Sequence, residues 1–245
     1  RRILQDGGAE VIHLGHNRSV EDVVVAVLQE GAQGVCVSSY QGGHMEYFKY
    51  MRDLLDAAGA HYVQIYGGGG GVIIHEEKQE LEAYGIAQIF HPDDGRKLGL
   101  DGMINMIMQA CDFEIKGTAE IWNKNQEGLK LKIEKELEQE SIPSKALGLA
   151  LNRIELEKAK TLASKNIPVL GVTGTGGAGK SSLIDEVSQR FLAAYPSKKL
   201  AVVCVDPSKR KTGGGLLGDR IRMNSVANPR MFMRSVASRG SGREI

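Results

Sequence analysis

Ile167-Pro168-Val169-Leu170-Gly171-Val172-Thr173 runs directly into Gly174-Thr175-Gly176-Gly177-Ala178-Gly179-Lys180-Ser181-Ser182, and Leu183-Ile184-Asp185-Glu186-Val187 follows. An apolar strand, then G-x-x-x-x-G-K-S, then a helix is the setting a phosphate-binding loop requires. Glycines let backbone N–H groups turn inward on a phosphate without Cβ interference, and the helix N-terminus adds partial positive charge. Lys180 would reach the β- and γ-phosphates as the catalytic cation, while the Ser181 hydroxyl would sit on Mg2+. Nucleotide contacts are expected from Gly174, Gly176, Gly177, Ala178, Gly179, Lys180, Ser181 and Ser182. The chain should bind a nucleoside triphosphate.

Downstream, Leu200-Ala201-Val202-Val203-Cys204-Val205-Asp206 is the next strand, and Thr212-Gly213-Gly214-Gly215-Leu216-Leu217-Gly218-Asp219-Arg220-Ile221-Arg222-Met223 follows. Asp206 and Asp219 could approach the ion held by Ser181, because Mg2+ takes a few carboxylates beside phosphate and water oxygens. Asp206 before Pro207 equally suits a plain strand-end turn. Glycines 213–215 suit a segment that orders around a γ-phosphate and relaxes after hydrolysis. Lys209-Arg210-Lys211 reads as a solvated charge run.

Upstream, residues 1–112 alternate apolar strands with helical patterns. Val11–Leu14 is a strand, and Ser19 with Asp22 opens a helix reaching about Glu30. Gly34–Ser38 and Tyr62–Tyr66 are strands; between them Phe48, Met51, Leu54 and Leu55 mark one helix face. Five glycines, 67–71, follow the third strand, then come a helix through Leu81, a strand at Ile86–Phe90 and a helix carrying Leu100, Ile104, Ile107 and Met108. Strands separated by single helices mean a parallel sheet, with ligands at the carboxyl ends of its strands. The glycine run would let a bulky flat ligand lie against bare backbone rather than serve packing. Residues 113–166 are glycine-poor and charge-rich, and read as a helical connector. The predicted architecture is two doubly wound α/β domains, 1–112 and 167–245, joined by that connector.

Composition narrows the rest. Charge is balanced at +1, so nothing global points to nucleic acid or a membrane surface. No apolar run nears the roughly 20 residues of a membrane span, and no signal peptide is read at the start. Cys36, Cys111 and Cys204 share no metal-like spacing; as free thiols, two of them in apolar strands, they suggest a cytoplasmic setting. The chain opens without methionine and both ends read as cut.

Ser38-Ser39-Tyr40-Gln41-Gly42-Gly43-His44, Gly69-Gly70-Gly71-Val72-Ile73 and Ile89-Phe90-His91-Pro92-Asp93-Asp94 resemble the cobalamin-binding domain of acyl-CoA mutases such as methylmalonyl-CoA mutase. The resemblance implies a pocket for the nucleotide tail of adenosylcobalamin lined by Gly15, Ser38, Tyr40 (where leucine is usual), Gly70 and Gly71. The family's Asp-x-His-x-x-Gly motif, whose histidine ligates cobalt, does not occur here, so the axial histidine and the first strand are expected upstream of Arg1. His16 and His44 lie on the loops nearest the pocket, while His61, His75 and His91 read as surface or turn histidines. Residues 206–223 resemble the G-protein chaperones of methylmalonyl-CoA mutase, which implies Asp206 and Asp219 as metal ligands and Arg222 near the nucleotide. GTP rather than ATP rests on that resemblance.

The whole order resembles the fused isobutyryl-CoA mutase family. What this implies is adenosylcobalamin-dependent radical isomerisation of isobutyryl-CoA to n-butyryl-CoA, with GTP and Mg2+ gating cofactor loading. It also implies an acyl-CoA-binding barrel beyond Ile245 and a homodimer. Without that barrel the chain alone should not isomerise its substrate. A stand-alone GTPase chaperone serving a separate mutase is the alternative. A flavodoxin-like or receiver domain fused to an unrelated ATPase ranks behind both.

Overall fold

The computed structural model describes residues 1–39, 42–69, 72–115, 167–209 and 211–238. All but the first three residues of the expected connector, together with Tyr40, Gly70 and Gly71, lie outside the described residues. Strands and helices alternate as α1 (Arg2–Asp6), β1 (Glu10–Ile12), α2 (Val20–Glu30), β2 (Gly34–Ser38), α3 (His44–Ala57), β3 (Gln64–Gly68), α4 (His75–Tyr84), β4 (Gln88–Phe90) and α5 (Pro92–Cys111). After the connector come α6 (Lys180–Ala194), β5 (Leu200–Asp206), β6 (Gly215–Leu217) and β7 (Met231–Ala237), with short 3-10 turns at Arg220–Arg222 and Asn224–Ala227. Every ladder among the described residues is parallel, as in an α/β protein.

Local chemistry accounts for the helix ends. The Asp22 N–H donates to Ser19 Oγ at 3.1 Å, satisfying one of the orphan donors of α2. Gly31 ends that helix in the left-handed region at φ 63. Val23, Val24, Val27 and Leu28 of α2 then pack with Phe48, Met51 and Leu55 of α3 over Ile65 and Ile89 of the sheet. These spacings of three and four put one stripe of each helix inward. A second, smaller core joins Leu192 of α6 to Met223, Met231 and Met233.

Sheet order is β2-β3-β4, and the parallel register brings Ser38 beside Gly68 and Gly68 beside Phe90. The loops after these three strands therefore leave one edge together. The glycine run differs from its expected role. Gly67 and Gly68 belong to β3, and a Cβ on Gly67 would stand 2.5 Å from both Phe48 Cζ and Ile89 Cδ1. A Cβ on Gly69 would stand 2.6 Å from the Ser39 carbonyl oxygen. Packing of helix on sheet and of loop on loop thus claims the first and third glycines.

Two further expectations change. β1 leaves the first sheet and pairs with β6, Val11 beside Leu216, so a strand from each half of the chain shares one ladder. Lys209 also pairs with Asp6, and both side chains stay exposed, in keeping with a solvated charge at that position. The apolar run 167–173 forms no strand: Val169 is 92% exposed and Leu170 79%. Apolar composition makes a strand only where a neighbouring edge offers hydrogen bonds, and here β5 takes β7 while β6 takes β1. Cys36, Cys111 and Cys204 are free thiols. No helix among the described residues is long and apolar enough to cross a membrane.

Candidate functional site

The loop before α6 has the backbone its sequence demands. Gly177 and Gly179 sit at φ 79 and 81, values that L side chains resist, and Gly179 is the N-cap of α6. Lys180 is the first helical residue, and its Nζ donates to the Gly174 and Thr175 carbonyls at 2.7 and 2.8 Å. The ammonium is thereby folded over the concave side of the loop. Gly174, Gly176, Gly177, Ala178, Gly179 and Ser182 are exposed around it, with their N–H groups near the positive end of a 15-residue helix.

Ser181 makes the link to the segment that follows β6. Its Oγ donates to Asp219 Oδ1 at 2.9 Å, across 38 residues of sequence. Arg222 Nη1 stands 3.9 Å from the same oxygen, on the flank of the group. Burial, then the Asp219 charge, pushes the Asp206 carboxyl above its ordinary range, with Arg222 opposing. A hydroxyl and two mutually repelling carboxylates converge there, a hard oxygen donor set that suits Mg2+. Three sequence-predicted residues, Ser181, Asp219 and Arg222, are brought into one group, with Asp206 within electrostatic reach of Asp219 and Arg222.

At the edge of the first sheet the placement is mixed. Ser38 is exposed at the end of β2, and the Ser39 N–H donates to the Gly68 carbonyl at 2.8 Å. Gly15, at φ 85, faces Ile221: a Cβ there would stand 2.6 Å from Ile221 Cδ1. That glycine accommodates the segment after Asp219, so it is no open ligand contact in this structure. His44 is 7% exposed at the start of α3, and its Nε2 lies 3.1 Å from Glu77 Oε2. Its Nδ1 has no hydrogen-bond partner. The Glu77 carboxyl is held below its usual range first by the Ile74 N–H, with His44 adding to the effect.

A third constellation joins the two halves. Arg220 Nη1 donates to Glu30 Oε1 at 3.0 Å and Nη2 to Gln29 Oε1 at 2.5 Å. The Ser235 N–H donates to Glu30 Oε2 at 2.7 Å. Burial pushes the Glu30 carboxyl up and the Arg220 guanidinium down from their ordinary values, while each partner's charge opposes the change. Nothing in the sequence marked Glu30, a helix-end glutamate 190 positions from Arg220.

Comparison with known proteins fits this geometry. Residues 1–94 match the B12 binding domain, and residues 151–243 match the methylmalonyl Co-A mutase-associated GTPase MeaB. Over its entire length the chain is 55% identical to a fused isobutyryl-CoA mutase of Geobacillus kaustophilus, and 49% identical to one of Cupriavidus metallidurans. The chain belongs to the fused isobutyryl-CoA mutase family. It spans 23% and 22% of those two relatives. The GTPase ArgK of Escherichia coli is 47% identical, but over only 29% of this chain.

Family membership explains why two ligand edges share one polypeptide. The first fused-mutase half is a B12-binding domain, and its His44 carries a buried ring nitrogen with a bond still to make. Ser38 and the main chain at Gly69 stand at the same sheet edge, a cradle that suits a flat cofactor tail. The second half is a MeaB-type GTPase domain whose loop and carboxylates suit GTP with Mg2+.

Proposed function

We propose that this chain is the cofactor-binding and nucleotide-switch portion of an adenosylcobalamin-dependent acyl-CoA mutase that interconverts isobutyryl-CoA and n-butyryl-CoA. GTP binding and hydrolysis gate the loading of its cofactor. The observation that carries the gating is the pair of consecutive residues Asp219 and Arg220. Asp219 accepts from Ser181 in the phosphate loop, and Arg220 is buried on Glu30 of the cobalamin-binding half.

When bound, adenosylcobalamin supplies radical chemistry to a carbon-skeleton rearrangement. This chain's residues bind and switch. Ser38, Tyr40, Gly70, Gly71 and His44 would hold the cofactor's tail. Lys180 and the loop N–H groups hold the triphosphate, and Arg222 flanks it. Ser181 with Asp219 and Asp206 would hold Mg2+. Asp219 accepts from Ser181 Oγ and the next residue, Arg220, is buried on Glu30, so a change at either side chain would be passed to the other through one peptide unit. A switch of this kind has the nucleotide favour one arrangement of the segment over the other. The acyl-CoA is bound by parts of the protein outside these residues, and the assembly is a homodimer. Alignment across both halves favours this reading over a stand-alone chaperone.

Fluorescent GTP titrated with Mg2+ tests the nucleotide half, with ATP as competitor. Lys180→Ala should weaken GTP at least about tenfold, and equal competition by ATP would overturn the guanine assignment. Adenosylcobalamin binding followed by visible absorption tests the other half. Arg220→Ala should leave each ligand bound yet abolish the effect of GTP on cobalamin affinity. Retention of full coupling in that variant would remove the basis for gating.

A further inference from the structure

On the same sheet edge, away from the phosphate loop, three side chains with metal-binding chemistry meet. His75 is the first residue of α4, behind the loop that leaves β3, and His91 is the N-cap of α5, directly after β4. Asp93 lies in the first turn of α5. Because β3 and β4 are neighbouring parallel strands, their carboxyl ends deliver the two imidazoles side by side. The rings stand 4.3 Å apart between centroids. Asp93 Oδ2 is 3.6 Å from His75 Nε2 and 3.2 Å from His91 Nδ1. All three donor atoms fall within 4.8 Å of one another.

Those separations have a simple meaning. With bonds of about 2.0–2.2 Å to nitrogen and oxygen, the ligand atoms of a tetrahedral ion stand about 3.4 Å apart. The observed 3.2 and 3.6 Å bracket that edge. The carboxylate is also oriented from outside: Arg96 Nη1 donates to Asp93 Oδ1 at 3.1 Å, which leaves Oδ2 turned to the imidazoles. Ligands held by a further hydrogen-bonded partner are the usual arrangement around protein-bound metals. His91 Nδ1 now accepts the Asp93 N–H at 3.3 Å, a long cap that an ion would replace.

We infer that His75, His91 and Asp93 form a binding site for a borderline divalent cation of the zinc class. Two imidazoles and one carboxylate favour Zn2+, Cu2+ or Ni2+ over the all-oxygen preference of Mg2+ and Ca2+. His75 is 62% exposed, so the fourth position opens to solvent and the ion exchanges freely. Bound there, it clamps the start of α4 to the start of α5, fixing two of the loops beside the glycine cradle. The inference rests on these three residues alone and holds whether or not the chain serves a mutase.

Untagged, chelator-stripped chain titrated with Zn2+ by calorimetry, and with Co2+ by visible absorption, provides the test. One equivalent should bind, and the Co2+ spectrum should lack the thiolate charge-transfer band that ligation by Cys36, Cys111 or Cys204 would produce. His75→Ala should weaken binding at least about tenfold. His91→Asn should do the same while retaining a capping acceptor, so that a loss cannot be attributed to an uncapped α5. His61→Ala, at an exposed histidine paired with Asp56, should change nothing. No stoichiometric binding, a thiolate spectrum, or full affinity in both His75→Ala and His91→Asn would overturn the assignment.

Discussion

Gly67, inside β3, and Gly42, in the loop after β2, should be cleanly separated by substitution. A methyl on Gly67 meets Phe48 and Ile89 at 2.5 Å, so Gly67→Ala should cost about 1–3 kcal/mol by overpacking. Gly42 has no atom within 4 Å of such a methyl, and Gly42→Ala should be near neutral. Urea midpoints of the two variants check the contrast. Chemistry at single residues was legible where it is local: the Gly-Lys-Ser loop announces itself because its backbone, its ammonium and its hydroxyl are contiguous. The five-glycine run was less legible, because sequence cannot say which glycine yields to a ligand and which to a phenylalanine. Asp219→Asn preserves size while removing charge, and should lower Mg2+-dependent GTP affinity about tenfold with little change in melting temperature.

Among elements, α2 carries two tests of different kinds. Removing the cap oxygen in Ser19→Ala should cost about 1 kcal/mol, read from chemical unfolding. At the other end of the helix, Arg220→Ala strands a buried carboxylate and should cost about 3–5 kcal/mol. The paired change Glu30→Gln with Arg220→Met should recover most of that loss, since no uncompensated charge remains. The cap was readable from a Ser-x-x-Asp spacing. The ion pair was not, because its members lie in different halves of the sequence. The same limit explains residues 167–173. Hydropathy marks a segment able to be a strand, but the edge that would accept it is a property of the assembled sheet.

Across the molecule, stability should depend on acid through Asp185, which anchors the second core. Burial alone would lift its carboxyl, but hydrogen bonds from Ser225, Asn224 and Gln189 prevail and hold it below the usual aspartate range. A group lowered in the folded state binds fewer protons there than when unfolded. Its stabilisation is therefore complete above the value of the unfolded chain and fades as pH falls through the lower folded value. The unfolding free-energy gap between wild type and Asp185→Asn should be largest near about pH 6 and shrink toward about pH 3. An unchanged gap would mean that the carboxylate is not the source.

The ladder between β1 and β6 also bears on how the polypeptide responds to a break. Glu10 sits beside Gly215 and Ile12 beside Leu217, and Glu30 grips Arg220 a few residues further on. Cleavage by a site-specific protease at a recognition sequence inserted after Ser144 should thus yield two pieces that travel as one species through a sizing column. Raising urea would release them, and the dose required would report how firmly the vitamin-binding piece and the nucleotide-binding piece adhere without any peptide bond between them.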